Sequence, residues 1–325
     1  MKNKNGLVIV LALLCLVLLA GVGYTVVKDK GKNKNTEETV AADGQEESQT
    51  GIVTVDGKKY KRNTEIQTVL FMGIDKSAKA DLHNNPGENG QSDSLNLLVM
   101  NRAEKTAQVI QISRDSMVNI DIFDVSGEKL MTEEGQIALQ YAYGDGEEES
   151  CRLTSKKVSE LLYGIEIDSY ISLTLEGMIT ATDKLGGITL TVPKDYTAID
   201  PAFVKGETIT LNGELAEKYV RSRDIEVLDS NNQRMERQTQ FMQALIEKLQ
   251  GLKENSQYLS LYDAMEPYMV TNMTADDMKS LSEYDVAEEM IKVPGKIIEK
   301  DGHAQYIVDN KELQQIILKM FYKAV

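Results

Sequence analysis

Three aspartates and a cluster of arginines are the residues of this 325-residue chain whose types and spacing suit chemistry. Asp75 ends the apolar run 68–74 (TVLFMGI). Asp93 stands in QSD, after the glycine-bearing loop NNPGENG, and Asp115 stands in SRD, after a second apolar run. Ligands of open α/β sheets collect off the carboxyl ends of strands. Two close carboxylates there either share a proton or hold a hard cation such as Mg²⁺. The plainer reading of each aspartate is a loop cap.

The arginines are unevenly placed. Four of the eight, Arg221, Arg223, Arg234 and Arg237, fall in YVRSRDIEVLDSNNQRMERQ. Lysine serves as well as arginine for solubility. The planar guanidinium fork, in contrast, matches a phosphate bidentately. Arg221 and Arg223 are two apart, which puts them on one side of an extended segment. Arg234, Arg237 and Gln238 open a predicted helix with an apolar stripe of Met235, Met242, Leu245, Ile246 and Leu249. Gln238 falls inside that stripe and Arg234 at its edge. A phosphate near a helix N-terminus is also favoured by the helix dipole. Ion pairing with Asp224, Glu226, Asp229 and Glu236 explains the same composition, and composition alone leaves the two readings open.

These residues must be positioned by strands and helices. Apolar runs at 68–74, 95–100, 108–112, 170–175 and 187–192 read as strands. Segments 134–143, 153–163, 176–184 and 213–219 read as helices, the last capped by Asn212. Thr274 is expected to cap a further helix, and 311–322 to form another. Interleaved strands and helices predict an α/β protein with a sheet covered on both faces. If the first two strands are antiparallel neighbours, Asp75 and Asp93 converge at one edge.

The flanks bound the rest. Residues 6–27 (GLVIVLALLCLVLLAGVGYTVV) are 22 uncharged residues, long enough to span a bilayer, behind Lys2 and Lys4 in a short tail, residues 1–5; with Lys28, Lys30, Lys32 and Lys34 on the other side, charge leaves the orientation open. No small-x-small cleavage site follows, so an uncleaved anchor is expected. Residues 28–60 are polar and read as a flexible stalk, with a short hairpin around Asp56-Gly57. Residues 61–325 are expected to form one domain. The net charge of −15 argues against a nucleic-acid partner. Two cysteines, Cys15 and Cys151, supply no disulfide framework. His83 and His303 are too far apart in sequence to suggest a zinc site or a Ser-His-Asp triad.

Between residues 68 and 249 the chain resembles the LytR-CpsA-Psr proteins of bacterial cell envelopes. The pieces, in order, are VLFMGID, SDSLNLLVMN, ISRDSMV, QIALQYAYGDG, IDSYISLTLEGM, TATDKLGGITLTVP, LNGELAEKYVRSR and RMERQ. The resemblance implies an α/β/α sandwich with a central mixed sheet and an apolar lipid pocket, facing outward from the cytoplasmic membrane. It implies a phosphotransferase that moves a glycopolymer from a polyprenyl-diphosphate carrier to a peptidoglycan sugar hydroxyl, forming a phosphodiester. By the same resemblance Asp75 and Asp93 would hold Mg²⁺ or Mn²⁺. Arg114, Arg221, Arg223, Arg234, Arg237 and Gln238 would surround the diphosphate, with Asp75, Asp93, Arg114 and Arg223 catalytic. The chain departs from the family at Gln91, where an arginine usually precedes the Ser-Asp pair, and at Ser113, where proline is common. The segment between Arg223 and Arg234, which contains Asp229, also departs from the usual spacing. Gln91 leaves room for a non-catalytic relative that binds lipid-linked glycan. A transcriptional role fits poorly, because no helix-turn-helix signal is present.

Overall fold

The computed structural model describes residues 52–76, 85–222 and, with short gaps, 237–325. The apolar run 6–27 lies outside the described residues, as do His83, Arg223, Asp229, Arg234 and Gln238. No helix among the described residues is long and apolar enough to cross a membrane.

The core is a mixed sheet of seven strands. β3 (Ile66–Ile74), β4 (Ser92–Asn101), β5 (Thr106–Ile112) and β8 (Ser169–Thr174) form its centre. β11 (Met269–Thr271) lies on one edge, and β12 (Asp285–Val286) and β13 (Ile291–Lys292) lie on the other. β3 runs antiparallel to β4 and parallel to β8. Period-2 alternation explains why these strands sit inside the molecule. Val69 and Phe71 face one apolar cluster, and Leu70, Met72 and Ile74 face the other. The first cluster is covered by α2 (Leu175–Lys184), α3 (Gly213–Arg221), α4 (Asn255–Met265), α5 (Ala275–Leu281) and helical residues between 237 and 249. The second is covered by α1 (Glu148–Leu161), α6 (Asn310–Phe321) and the 3₁₀ turn Ile137–Tyr143. Helices therefore flank both faces, as the interleaved pattern predicts.

The capping chemistry matches the sequence. Asn212 Oδ1 accepts from Leu215 N–H at 2.9 Å, opening α3. Thr274 Oγ1 accepts from Asp277 N–H while Asp277 Oδ2 accepts from Thr274 N–H, a reciprocal cap on α5.

Several boundaries differ from expectation. The hairpin expected around Asp56-Gly57 is present, and its strands begin at residue 52, within the segment read as stalk. β1 (Ile52–Val55) and β2 (Lys58–Arg62) form a hairpin whose turn residues Asp56 and Gly57 both have positive φ, and β2 also pairs with β16 (Tyr322–Ala324). The helix expected over 134–143 is instead the end of β7 (Lys129–Gln136) followed by the 3₁₀ turn. Ile137, Ala138, Gln140, Tyr141 and Ala142 are all buried there, so no polar face exists for an amphipathic helix. β6 (Met117–Phe123) pairs with β7 as a ribbon that the sequence reading omits. Two further hairpins are β9 (Ile188–Thr191) with β10 (Thr208–Leu211), and β14 (Gly295–Lys300) with β15 (His303–Val308). Ser116 bridges to Tyr306, placing β15 beside the start of β6.

Candidate functional site

β3 and β4 bring Asp75 and Asp93 to the same end of the sheet. Gly73 pairs with Ser94 and Ile74 with Ser92, so Asp93 is the extra residue of a β-bulge. A bulge bends its strand and re-aims one side chain, and such bulges are common beside active sites. Here Asp93 is 1% exposed, and its Oδ1 takes an ion pair from Arg114 Nη1. The turn before β4 is equally constrained. Gln91 N–H donates to Asp75 Oδ1 at 2.6 Å, and Asp75 N–H donates to Gln91 O at 3.1 Å. Gly90 has φ +82°, and a Cβ there would lie 3.1 Å from both Asp75 Oδ1 and Ile74 Cγ2. Only glycine lets this backbone approach the carboxylate so closely.

Arg114 follows β5 and links the group. Its Nη2 donates to Gln91 Oε1 at 2.6 Å, and its Nε lies 3.5 Å from Asp115 Oδ1. Asp115 Oδ1 in turn accepts from Gln136 Nε2 at 3.0 Å. The 3₁₀ turn holds the arginine's backbone, through Ala138 N–H on Arg114 O at 3.2 Å. The structure thus joins Asp75, Gln91, Asp93 and Arg114 in one cluster, as the sequence reading expects. Gln91 stands in it as an acceptor for Arg114, where an arginine would be a second donor.

Two carboxylates on neighbouring strands offer the oxygen chemistry a hard cation takes. Among the described residues no group of three or more His, Cys, Asp or Glu side chains could enclose one. Mg²⁺ is ordinarily held by one or two carboxylates, water and substrate phosphate oxygens, a donor set that a pair of aspartates can begin.

The arginine-rich stretch divides. Arg221, in the last turn of α3, pairs with Glu217 at 2.6 Å and is about one-third exposed. Arg237 is 1% exposed. Its Nε donates to Tyr219 O at 2.6 Å, its Nη2 donates to Ser222 O, and its guanidinium lies 4.9 Å from the centre of the Tyr196 ring. Phe203 and Tyr196 meet Tyr219 edge to face. Arg237 is therefore placed on backbone carbonyls at the end of α3, where it fixes the segment that carries Arg221. It takes a buried position on the helix, in line with Phe241, Leu245 and Leu249. The sequence reading places Gln238 in that stripe. The signal for Arg237 was its four-residue spacing from Phe241.

Sequence reasoning also misses Gln240. Its Oε1 accepts from Tyr219 Oη at 2.5 Å, and its Nε2 donates to Thr191 O. Burial raises the Tyr219 phenol well above its ordinary range, with Tyr196 adding to it, so it acts as a neutral donor. Cys151 is buried in the second cluster, and burial pushes its thiol up to about 12, which makes it inert.

The sequence profile of the LytR_cpsA_psr family matches residues 23–321. A polyisoprenyl-teichoic acid–peptidoglycan teichoic acid transferase TagU of Enterococcus faecalis is 27% identical over 97% of this chain and 96% of its own length. A TagU transferase of Bacillus licheniformis is 27% identical over 78% of this chain and 76% of its own. Among solved structures, one described as TagT bound to LI-WTA is 26% identical with a TM-score of 0.55, covering 79% of this chain and 90% of that one. With eight ordered motifs, a matching mixed sheet and a family match over most of its length, the chain belongs to the LytR_cpsA_psr family.

Proposed function

We propose that this protein is a membrane-anchored phosphotransferase. It moves a glycopolymer from a polyprenyl-diphosphate carrier to a peptidoglycan sugar hydroxyl on the outer side of the membrane. The supporting observation is the Asp75–Gln91–Asp93–Arg114 cluster, held at a strand end by a bulge and a glycine turn. The relatives named as teichoic acid transferases supply the substrate class, and the apolar run 6–27 supplies the anchor.

In this reading an acceptor hydroxyl attacks the sugar-linked phosphorus, and the lipid phosphate leaves. Arg114 lies beside the two aspartates, where its positive charge offsets the charge developing on the phosphoryl oxygens. Asp75 or Asp93 orients the attacking hydroxyl. Mg²⁺ held by these carboxylates would neutralise diphosphate charge. By the family resemblance, Arg221, Arg223, Arg234 and Gln238 would add donors for the diphosphate; of these, Arg221 lies among the described residues. Arg237 positions the segment that carries Arg221 through the carbonyls of Tyr219 and Ser222.

One observation favours a second reading. Gln91 Oε1 accepts from Arg114, so this site draws on the guanidinium instead of adding a donor to the phosphate. A non-catalytic relative would hold the lipid-linked glycan without transferring it. The purified full chain, given a synthetic polyprenyl-diphosphate oligosaccharide, peptidoglycan and Mg²⁺, is expected to form phosphodiester-linked product. Lipid binding without product would establish the second reading.

A further inference from the structure

Beside the cluster, two buried polar groups among the described residues make no hydrogen bond: Lys76 Nζ and Thr174 Oγ1. They stand on adjoining strand ends. Ile74 and Thr174 are partners across the parallel β3–β8 pair, and Leu175 N–H donates to Lys76 O at 3.1 Å. Both lie at the carboxyl ends of parallel strands, where α/β sheets bind ligands.

Thr174 is also the N-cap of α2, a helix of ten residues. A threonine in that position ordinarily turns its oxygen onto the N–H groups of the first turn. Thr174 does not, although it is 8% exposed and φ −80°, ψ 165° suits a cap. Leu175 N–H is taken by Lys76 O, the N–H groups that follow it in the first turn keep their donor capacity, and the helix dipole adds partial positive charge. A hydroxyl and an ammonium without acceptors, beside a helix N-terminus of which only the Leu175 N–H is taken, form an arrangement that lacks an anion. Leaving a buried ammonium without an acceptor is costly in a folded protein. Glu176 is the acidic residue of this turn, and it is partly exposed, unlike Thr174.

We propose that Lys76, Thr174 and the N-terminus of α2 form an anion subsite that takes one phosphate of the diphosphate substrate. The inference rests on the phosphotransferase reading above and extends it to residues outside the arginine motifs. Lys76 directly follows Asp75, so the subsite adjoins the carboxylate cluster. It supplies positive charge that does not depend on Arg114, which is engaged by Asp93 and Gln91.

The test uses inorganic pyrophosphate and the full-length protein in detergent, read by calorimetry. Lys76→Gln is expected to weaken pyrophosphate binding about tenfold or more, and Thr174→Val about threefold, because a charge-assisted hydrogen bond is stronger than a neutral one. Lys76→Gln is also expected to melt at or above the wild-type temperature, since it removes an unsatisfied buried charge. If it melts earlier, Lys76→Arg decides the matter: recovered affinity sustains the subsite, and unrecovered affinity overturns it. Wild-type affinity in Lys76→Gln overturns the subsite, while glycopolymer transfer by the wild-type protein would leave the catalytic reading standing. Absence of transfer by the wild type would sink the catalytic reading alone, and pyrophosphate affinity would still decide the subsite.

Discussion

Two buried ionic clusters in this protein are built to different ends. Asp121, in the β6–β7 ribbon, is saturated. Its carboxylate meets Lys129 Nζ at 2.6 Å, Lys157 Nζ at 3.0 Å and Thr132 Oγ1 at 2.9 Å. Its backbone N–H donates to Gln140 Oε1 at 2.7 Å, and its carbonyl accepts from Gln140 Nε2 at 3.0 Å. Lys157 also reaches Glu160 at 3.0 Å. The cluster around Asp75 and Arg114 is the opposite case. It lies at a strand end, borders two polar groups that no described residue satisfies, and gathers charge around a bulge. A saturated buried network rigidifies the fold. An unsaturated one costs stability unless a ligand completes it. Strain and missing partners concentrate where function sits.

That contrast can be broken in several places. The largest stability effect is expected at Asp121→Asn, which leaves Lys157 buried without its main counter-charge and costs about 3 kcal/mol. Urea unfolding measures it, and transfer per folded molecule should not change. Asp75→Asn should do the reverse. The amide keeps an oxygen for Gln91 N–H but loses its charge, so transfer should fall by roughly 10²-fold or more with little change in melting temperature. Arg237→Met stands between the two. It strips donors from the carbonyls of Tyr219 and Ser222, and should cost about 1–3 kcal/mol and reduce transfer as well.

A smaller effect concerns acid. Burial alone would raise the Asp121 carboxyl, but hydrogen bonds from Lys129, Lys157 and Thr132 hold it well below the usual carboxylate range. A group depressed in the folded state stabilises the fold above its unfolded value. That stability is lost as pH falls through the range from about 5 to 2. Wild-type melting temperature should therefore drop across that range, and Asp121→Asn should flatten the drop. An unchanged slope in the variant would place the acid sensitivity elsewhere.

The sequence carried the carboxylate cluster better than its surroundings. Asp75 at the end of TVLFMGI and Asp93 after NNPGENG point to one sheet edge once the two apolar runs are read as antiparallel neighbouring strands, which the structure shows them to be. The bulge that turns Asp93 toward Arg114 depends on the register of β3 against β4, which a single sequence does not specify. The role of Arg237 was hidden for a similar reason. Guanidinium forks suit carbonyls as well as phosphates, and only tertiary packing places Tyr219 and Ser222 within reach. The β6–β7 ribbon was missed because KLMTEEGQ is almost wholly exposed and lacks an alternating pattern. The orphaned cap at Thr174 had no sequence signal, since SLTLEG reads like an ordinary capped helix start.

The most direct test measures glycopolymer transfer and melting temperature on the same preparations of Asp75→Asn and Asp121→Asn. The account predicts that the two readouts cross: Asp75→Asn loses transfer and keeps its melting temperature, and Asp121→Asn loses melting temperature and keeps transfer per folded molecule. An Asp75→Asn protein that transfers glycopolymer at the wild-type rate would contradict it.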